Sequence, residues 1–333
     1  MKSRAAATVG AALADGAALQ GDKAFLVMTA ASGELRSIGW AEMDARATRT
    51  ARLLRSLGLR VGDRFNVHTT NCPEFFDLWF GAARLGAVLV PTDPRCTSDE
   101  LAYVLGRSRC HLTVTRPELQ EVVARAQVQA PDCGHLLVIG DSGDETFTAA
   151  RDAQADAPWD PLQNPEPRPE DVLGALCIAE PGQQPKNVLV THATYLDVGR
   201  TAAAHLRMGP NDRQFIALPL SDHDTQCHAS MSALVSGGSI ALVPRFSVAR
   251  WSAQAGAMGA TLACLVAEPV RQLCTRGVRP ADSAHTLRAV TVTQPGAEEY
   301  VARFEEQFSV PVVRGHERPA RQHRSTTRTT RTS

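Results

Sequence analysis

The residues whose types and spacing could do chemistry are concentrated in CIAEPGQQPKNVLVTH, residues 177–192. An apolar run precedes Pro185-Lys186, and a second apolar run closed by Thr191-His192 follows it. A loop that holds a phosphate needs glycines for close approach of backbone N–H groups, hydroxyl donors, and a lysine to neutralise charge. Lys186 supplies the cation and Gly182 one permissive position. The segment also carries a carboxylate, Glu180, and two prolines, Pro181 and Pro185, which donate no N–H. A Pro-Lys pair alone is equally compatible with an ordinary strand-to-helix turn. A second polar run, PLSDHDTQ at 219–226, sets His223 between Asp222 and Asp224 and ends on Gln226. His223 there is either a substrate contact or part of a solvated loop.

Composition narrows the class. The chain has 333 residues, 44% of them hydrophobic and 21% charged, which suits a globular protein of two domains or one large divided one. A formal net charge of zero gives no footing for nucleic acid or an anionic membrane, so neither is expected as a partner. Eight cysteines occur singly, without a Cys-x-x-Cys pair. They read as free thiols in a reducing compartment, and no metal site is expected from them. MKSRAAATVGAALADGAAL is too weakly apolar for a signal peptide and reads as an N-terminal helix. No apolar run approaches the roughly 20 residues of a membrane span, so a cytoplasmic protein is expected.

The elements that must position these residues alternate between helix and strand. Residues 41–58 place Met43, Ala47, Ala51 and Leu54 on one helical face, closed by Gly58. DRFNVHTTN reads as a strand with a polar turn, and CPEFFDLWFGAARLGAV as a helix with Pro73 in its first turn. AVLVP, SDELAYVLGRS (with a Ser-x-x-Leu start) and HLTVT follow as strand, helix and strand. Residues 141–172, rich in Asp, Pro and Ala, read as an irregular connection. Beyond them DVLGALCIA, QFIALPL, GGSIALVP, ATLACLV and LRAVTVT are strands, and ATYLDVGRTAAAHLRM, SVARWSAQAGAMG and GAEEYVARFEEQF are helices. This order predicts an α/β fold, mostly parallel, in two layered subdomains at 1–140 and 173–313.

From about residue 8 to 313 the order of motifs resembles the adenylate-forming superfamily: acyl-CoA ligases, crotonobetaine/carnitine-CoA-ligase-like enzymes, luciferases and adenylation domains. NCPEFFDLWFGAARLGAVLVPTDPRCTSDELAYVLGRSRCHLTVT resembles its first subdomain, LPLSDHDTQCHASMSALVSGGSIALVPRFS its second, and ARFEEQFSVPVV the approach to its central nucleotide strand. The resemblance implies the α/β N-terminal domain of that fold. It also implies ATP with Mg²⁺, CoA and a carboxylic acid as reactants, the acid being activated as an acyl-adenylate and transferred to CoA.

The same resemblance shows what has changed. Where the family loop reads Thr-Ser-Gly-Ser/Thr-Thr-Gly-x-Pro-Lys-Gly, positions 178–187 keep only Pro185 and Lys186, with Gly182 displaced onto a hydroxyl position. Each lost donor costs about 0.5–1.5 kcal/mol. Glu180 adds a repulsion of roughly 1–4 kcal/mol if it stands about 4 Å from a phosphate. ATP binding is therefore expected to be weakened. In Pro-Leu-Phe-His, Ser221 and Asp222 take the last two places, His223 falls one position late, and Gln226 is assigned to the acyl pocket. The Gly-Gly-Ala adenine turn is replaced by TVTQPGAEE, where Gly296 substitutes in part. In VPVVRGHERPARQ, Gly315 matches, His316 stands at the adenine-stacking tyrosine, and Pro319 and Ala320 occupy the Thr and Glu places. Residues 314–333, with five arginines after Arg314 among Ser and Thr, read as a disordered basic tail.

The family's mobile C-terminal domain has no counterpart in these residues, which leaves no catalytic residue to assign. Three functions remain open on this reading: a ligase with partial activity, such as one that accepts a preformed acyl-adenylate; a binding protein that pairs with a full-length homologue; and a truncated fragment.

Overall fold

The computed structural model describes residues 6–29, 33–140, 146–157, 159, 165–178, 186–280 and 282–314, with backbone alone at Ile178, Lys186 and Asn187. The first half runs α1 (Val9–Gln20), β1 (Ala24–Thr29), β2 (Leu35–Gly39), α2 (Trp40–Ser56), β3 (Arg64–His68), α3 (Pro73–Leu85), β4 (Val88–Thr92), α4 (Ser98–Ser108), β5 (Leu112–Thr115), α5 (Gln120–Gln129), β6 (His135–Val138) and α6 (Phe147–Asp152). The second runs β7 (Val172–Ile178), β8 (Lys186–Thr191), α7 (His192–His205), β9 (Arg213–Ile216), a π-helical turn (Thr225–Ser230) leading into α8 (Met231–Ser236), β10 (Ser239–Leu242), α9 (Trp251–Ala257), β11 (Leu262–Leu265), α10 (Ala267–Thr275), β12 (Ala289–Val292), α11 (Glu298–Phe308) and β13 (Val312–Arg314).

Local chemistry explains the best-formed helices. Pro73 opens α3 at a position whose N–H has no helical partner, and Gly86 closes it with φ 82°. Every residue of α3 from Phe75 to Leu85 is buried, as a helix apolar on all sides must be. Its buried carboxylate, Asp77, accepts from Arg46 Nε (2.8 Å) and Nη2 (2.7 Å) and from Arg151 Nη1 (2.5 Å). Helix α4 starts differently from the Ser-x-x-Leu reading. Thr97 is its cap, accepting from Glu100 N while the Glu100 carboxylate accepts from Thr97 N, a reciprocal box that satisfies two orphan donors.

The described strands form two sheets, ordered β13-β12-β11-β9-β10-β1-β2 and β6-β5-β3-β4-β7-β8. Pairing is parallel except at β1–β2 and β7–β8. The chain therefore does not divide at 141–172 into one sheet before and one after. Strand β1 pairs with β10 at Leu26↔Ile240, and β7 and β8 extend the sheet of the first half through Leu89↔Gly174. Within 141–172, α6 is a structured element, and its Arg151 is anchored on Asp77.

One core runs through both sheets, from Val9 and Leu13 through the α3 aromatics to Tyr195, Met231 and Leu262. A second core, including Trp251, Phe304 and Phe308, covers the other face of the seven-stranded sheet. A third lies between the six-stranded sheet and α4 and α5. Asn71 ties the two sheets together. Its Nδ2 donates to Leu218 O (2.9 Å) and Val243 O (3.1 Å), and its Oδ1 accepts from Leu220 N (2.8 Å).

Candidate functional site

The β7–β8 pair frames the loop singled out by sequence. Ile178 lies opposite Lys186 and Cys177 opposite Asn187, so residues 179–185 join two antiparallel strands rather than leading from a strand directly into a helix. Helix α7 starts only after β8, capped by Thr191, whose Oγ1 accepts from Thr194 N (3.1 Å). Glu180, Gly182 and Pro185 fall outside the described residues, as do Gly315 and His316; Lys186 is placed by its backbone as the first residue of β8.

His192 anchors the end of this hairpin. It is fully buried, and its Nδ1 accepts from Val9 N (3.2 Å), the first helical N–H of α1, which has no partner inside its own helix. Burial pushes the His192 pKa down to about 4 despite the nearby Asp171 carboxylate. One turn on, Tyr195 is also buried and packs edge-on against Trp79 at 5.2 Å. Its hydroxyl donates to Gln226 Oε1 (2.6 Å), and Gln226 Nε2 donates to Leu220 O (2.6 Å). Gly174 makes room for that hydroxyl, since a Cβ there would lie 2.3 Å from it.

The loop after β9 is thus held on two sides, by Asn71 at Leu218 and Leu220 and by Gln226 at Leu220. Asp222 Oδ1 accepts from Asp224 N (2.9 Å) and Thr225 N (3.1 Å) and fixes the turn into the π-helical segment. His223 and Gln226 belong to the same turn but face differently: Gln226 is fully buried with both ends of its amide engaged, whereas His223 is partly exposed. Asp224 stands between two imidazoles. His223 Nδ1 lies 3.3 Å and His228 Nε2 3.7 Å from its Oδ1. Burial opposes charge on His223, but the hydrogen bond to Asp224 and the Cys227 thiol beside it outweigh that and raise its pKa. Burial lowers the pKa of His228 against the pull of Asp224.

This turn lies at the C-terminal ends of parallel strands. Asp224 is close to Cys264 in β11 and Thr293 just past β12. Open α/β sheets receive ligands outside the carboxyl ends of their strands. Gly296, read as a partial substitute for the adenine turn, has φ 97°, and its N–H donates to Glu298 Oε2 (2.8 Å). Among the described residues no helix is long and apolar enough to cross a membrane.

The AMP-binding enzyme family model matches residues 13–316. The chain belongs to this family. It is 29% identical over 305 residues to the crotonobetaine/carnitine–CoA ligase of Salmonella agona, covering 90% of this chain and 58% of that protein. This AMP-binding family chain thus spans somewhat over half the length of the curated relatives it matches. Its fold is that of ATP-bound MatB from Rhodopseudomonas palustris (TM-score 0.78, 22% identity, 92% of this chain and 59% of that one). The N-terminal domain of FACL13 from Mycobacterium tuberculosis is comparably similar (TM-score 0.77, 21% identity, 92% and 75%). The α/β architecture expected from the sequence is therefore that of adenylate-forming enzyme N-terminal domains.

Sequence reasoning missed Asn71, His192, Tyr195 and His228 as organisers of the site. Asn71 looks like one more turn residue, and Tyr195 like one more apolar helix position. For His228 a signal existed: Asp224 and His228 are four apart, the spacing that stacks side chains on one helical face.

Proposed function

We propose that this chain derives from an AMP-forming acyl-CoA ligase, and that its own adenylation step is impaired. In the ancestral reaction a carboxylate oxygen attacks the α-phosphorus of ATP and pyrophosphate leaves, giving an acyl-adenylate. The CoA sulfur then attacks the acyl carbon and AMP leaves with the electron pair. Mg²⁺ would travel with ATP, and the Pro319 and Ala320 that replace the family's Thr and Glu give it no ligand in that motif. Lys186 is the retained phosphate contact, and Glu180 the group that repels the phosphates.

The observation that carries this reading is the family match over 13–316 combined with the loss of hydroxyls and glycines in the loop joining β7 and β8. Phosphoryl and adenylyl transfer depend on positioned cations and donors, so their loss weighs on rate more than on folding. The Salmonella agona relative named above is a crotonobetaine/carnitine–CoA ligase, which supports a carboxylic acid and CoA as reactants here. All eight cysteines are unpaired thiols, in keeping with a cytoplasmic protein.

A second reading rests on the same substitutions. A protein that keeps the acyl-side scaffold but binds ATP poorly would take up a preformed acyl-adenylate, or pair with a full-length homologue, without activating the acid itself. ATP–pyrophosphate exchange on the 333-residue chain, with a panel of carboxylic acids and Mg²⁺, tests the proposal. Exchange at the level of a full ligase would refute the impairment. Absent exchange together with calorimetric binding of an acyl-adenylate analogue is the expected result.

A further inference from the structure

We propose that His223, Asp224 and His228 form a binding site for a divalent first-row transition-metal ion, with zinc the natural probe. Among the described residues this is the one group of three whose ligand atoms converge, all within 4.8 Å of one another. Two of the separations are 3.3 and 3.7 Å, both measured to the same Asp224 oxygen. Ligands about 2.0–2.1 Å from a metal stand roughly 2.8–3.0 Å apart at octahedral right angles and about 3.3–3.4 Å apart in tetrahedral geometry. The two separations to Asp224 are near tetrahedral dimensions, and side-chain rotations that close the third, itself within 4.8 Å, would complete the site.

The backbone is arranged for this convergence. In the π-helical turn Thr225–Ser230, Met231 N–H reaches Gln226 O, a closure five residues long. Such a turn stacks residues five apart, as His223 and His228 are, while Asp224 and His228 keep the four-residue spacing of an ordinary helix. Single π turns inside helices occur frequently at functional sites. The position is pinned from beneath by Gln226 and from its start by Asp222.

The donor set selects the ion. Two imidazoles and one carboxylate suit zinc, iron, cobalt, nickel or copper, whereas magnesium and calcium prefer oxygen throughout. Three protein ligands leave at least one coordination position open, as in catalytic rather than structural sites. The three side chains are 26%, 16% and 24% exposed, so that position faces accessible space. The oxygen donor of a bound small molecule or water would fill it. Metal binding at this turn would not require ligase activity.

The test is titration of the chelator-stripped 333-residue chain with zinc chloride by calorimetry, with cobalt chloride absorption as a second readout. One zinc per chain at about micromolar free metal is expected, with excess magnesium failing to compete. His223→Asn and His228→Asn should each weaken binding about tenfold or more, and the double variant should abolish it. Cobalt should give ligand-field bands without a thiolate charge-transfer band. The proposal is overturned if the wild-type chain takes up no zinc at tens of micromolar. It is equally overturned if the double variant binds as well as wild type, or if cobalt reports thiolate ligation, since the metal would then reside on cysteines or elsewhere. If a variant fails to fold, the cobalt spectrum of the wild-type chain still distinguishes thiolate ligation from imidazole and carboxylate ligation.

Discussion

His192→Asn should remove about 1.4 kcal/mol per pH unit from a steep acid sensitivity in the folding of this chain. His192 and His68 are both fully buried, and burial lowers each pKa from 6.5 to about 4, outweighing the carboxylates that face them, Asp171 and Asp93 respectively. The cause at His192 is explicit. Its Nδ1 accepts the Val9 N–H, so a second ring proton would bring two donors face to face in the core. Between pH 6.5 and 4 the unfolded chain holds these protons and the folded chain does not. Stability therefore falls as pH drops through that window, by about 1.4 kcal/mol per pH unit for each histidine and about 2.7 for the pair. Summed over 2.5 units each histidine gives up roughly 3.4 kcal/mol, and the two together rival the total stability of an ordinary domain. In His192→Asn the amide oxygen replaces Nδ1 as acceptor and cannot be protonated. Urea unfolding at pH 7.5, 6.5, 5.5 and 4.5 measures the slope. Contributions from His228 and His285, which have the same sign, and from His223, which has the opposite sign, are common to both proteins and cancel in the difference. Equal slopes for His192→Asn and wild type over that window would refute the assignment of a neutral His192.

Three further changes probe packing, charge and the loop. Asp77→Asn leaves Arg46 and Arg151 short of three charge-assisted bonds; with Glu42, Glu74 and Asp152 still nearby, the loss should fall near the lower end of that for a broken buried pair, about 3 kcal/mol, read from denaturant midpoints. Gly199→Ala would put a Cβ 2.6 Å from Met231 Cβ and 2.9 Å from Met231 O, forcing α7 off α8 at a cost of about 1–3 kcal/mol, visible as a lower melting temperature. Glu180→Gly should tighten ATP binding by about tenfold, the equivalent of about 1.4 kcal/mol of relieved repulsion, and calorimetry showing no gain would remove Glu180 from the account.

What the sequence made legible follows the range of the interactions involved. Helices α2, α3, α4 and α11 are legible because their signals are local: apolar periodicity in α2, α4 and α11, and the Pro73 start and Gly86 stop of α3. The sheets were harder. Nothing within residues 24–39 says that β1 will lie beside β10 rather than β3, because strand pairing is settled by the whole core. The hairpin of β7 and β8 is half legible: its second strand reads as an apolar run beyond a loop, and nothing local shows that the chain turns back after 179–185 to pair with β7. In the site, His223 and Gln226 could be noticed by type. That Gln226 supports the floor while His223 and His228 converge on Asp224 required the π turn, and no periodicity short of the fold itself reveals one inserted turn.

The pairing of Leu26 with Ile240 also sets a timetable for synthesis. Strand β1 and its hairpin partner β2 leave the ribosome early, but the parallel neighbour that covers the other edge of β1 arrives roughly two hundred residues later. At 5–20 residues per second the interval is about 10–40 s. A two-stranded hairpin is marginal in water, and an uncovered strand edge is a template for pairing with another chain. The nascent chain must therefore carry AFLVMT unfinished through most of its own translation, and its demand for chaperone protection is greatest before β10 emerges rather than after release.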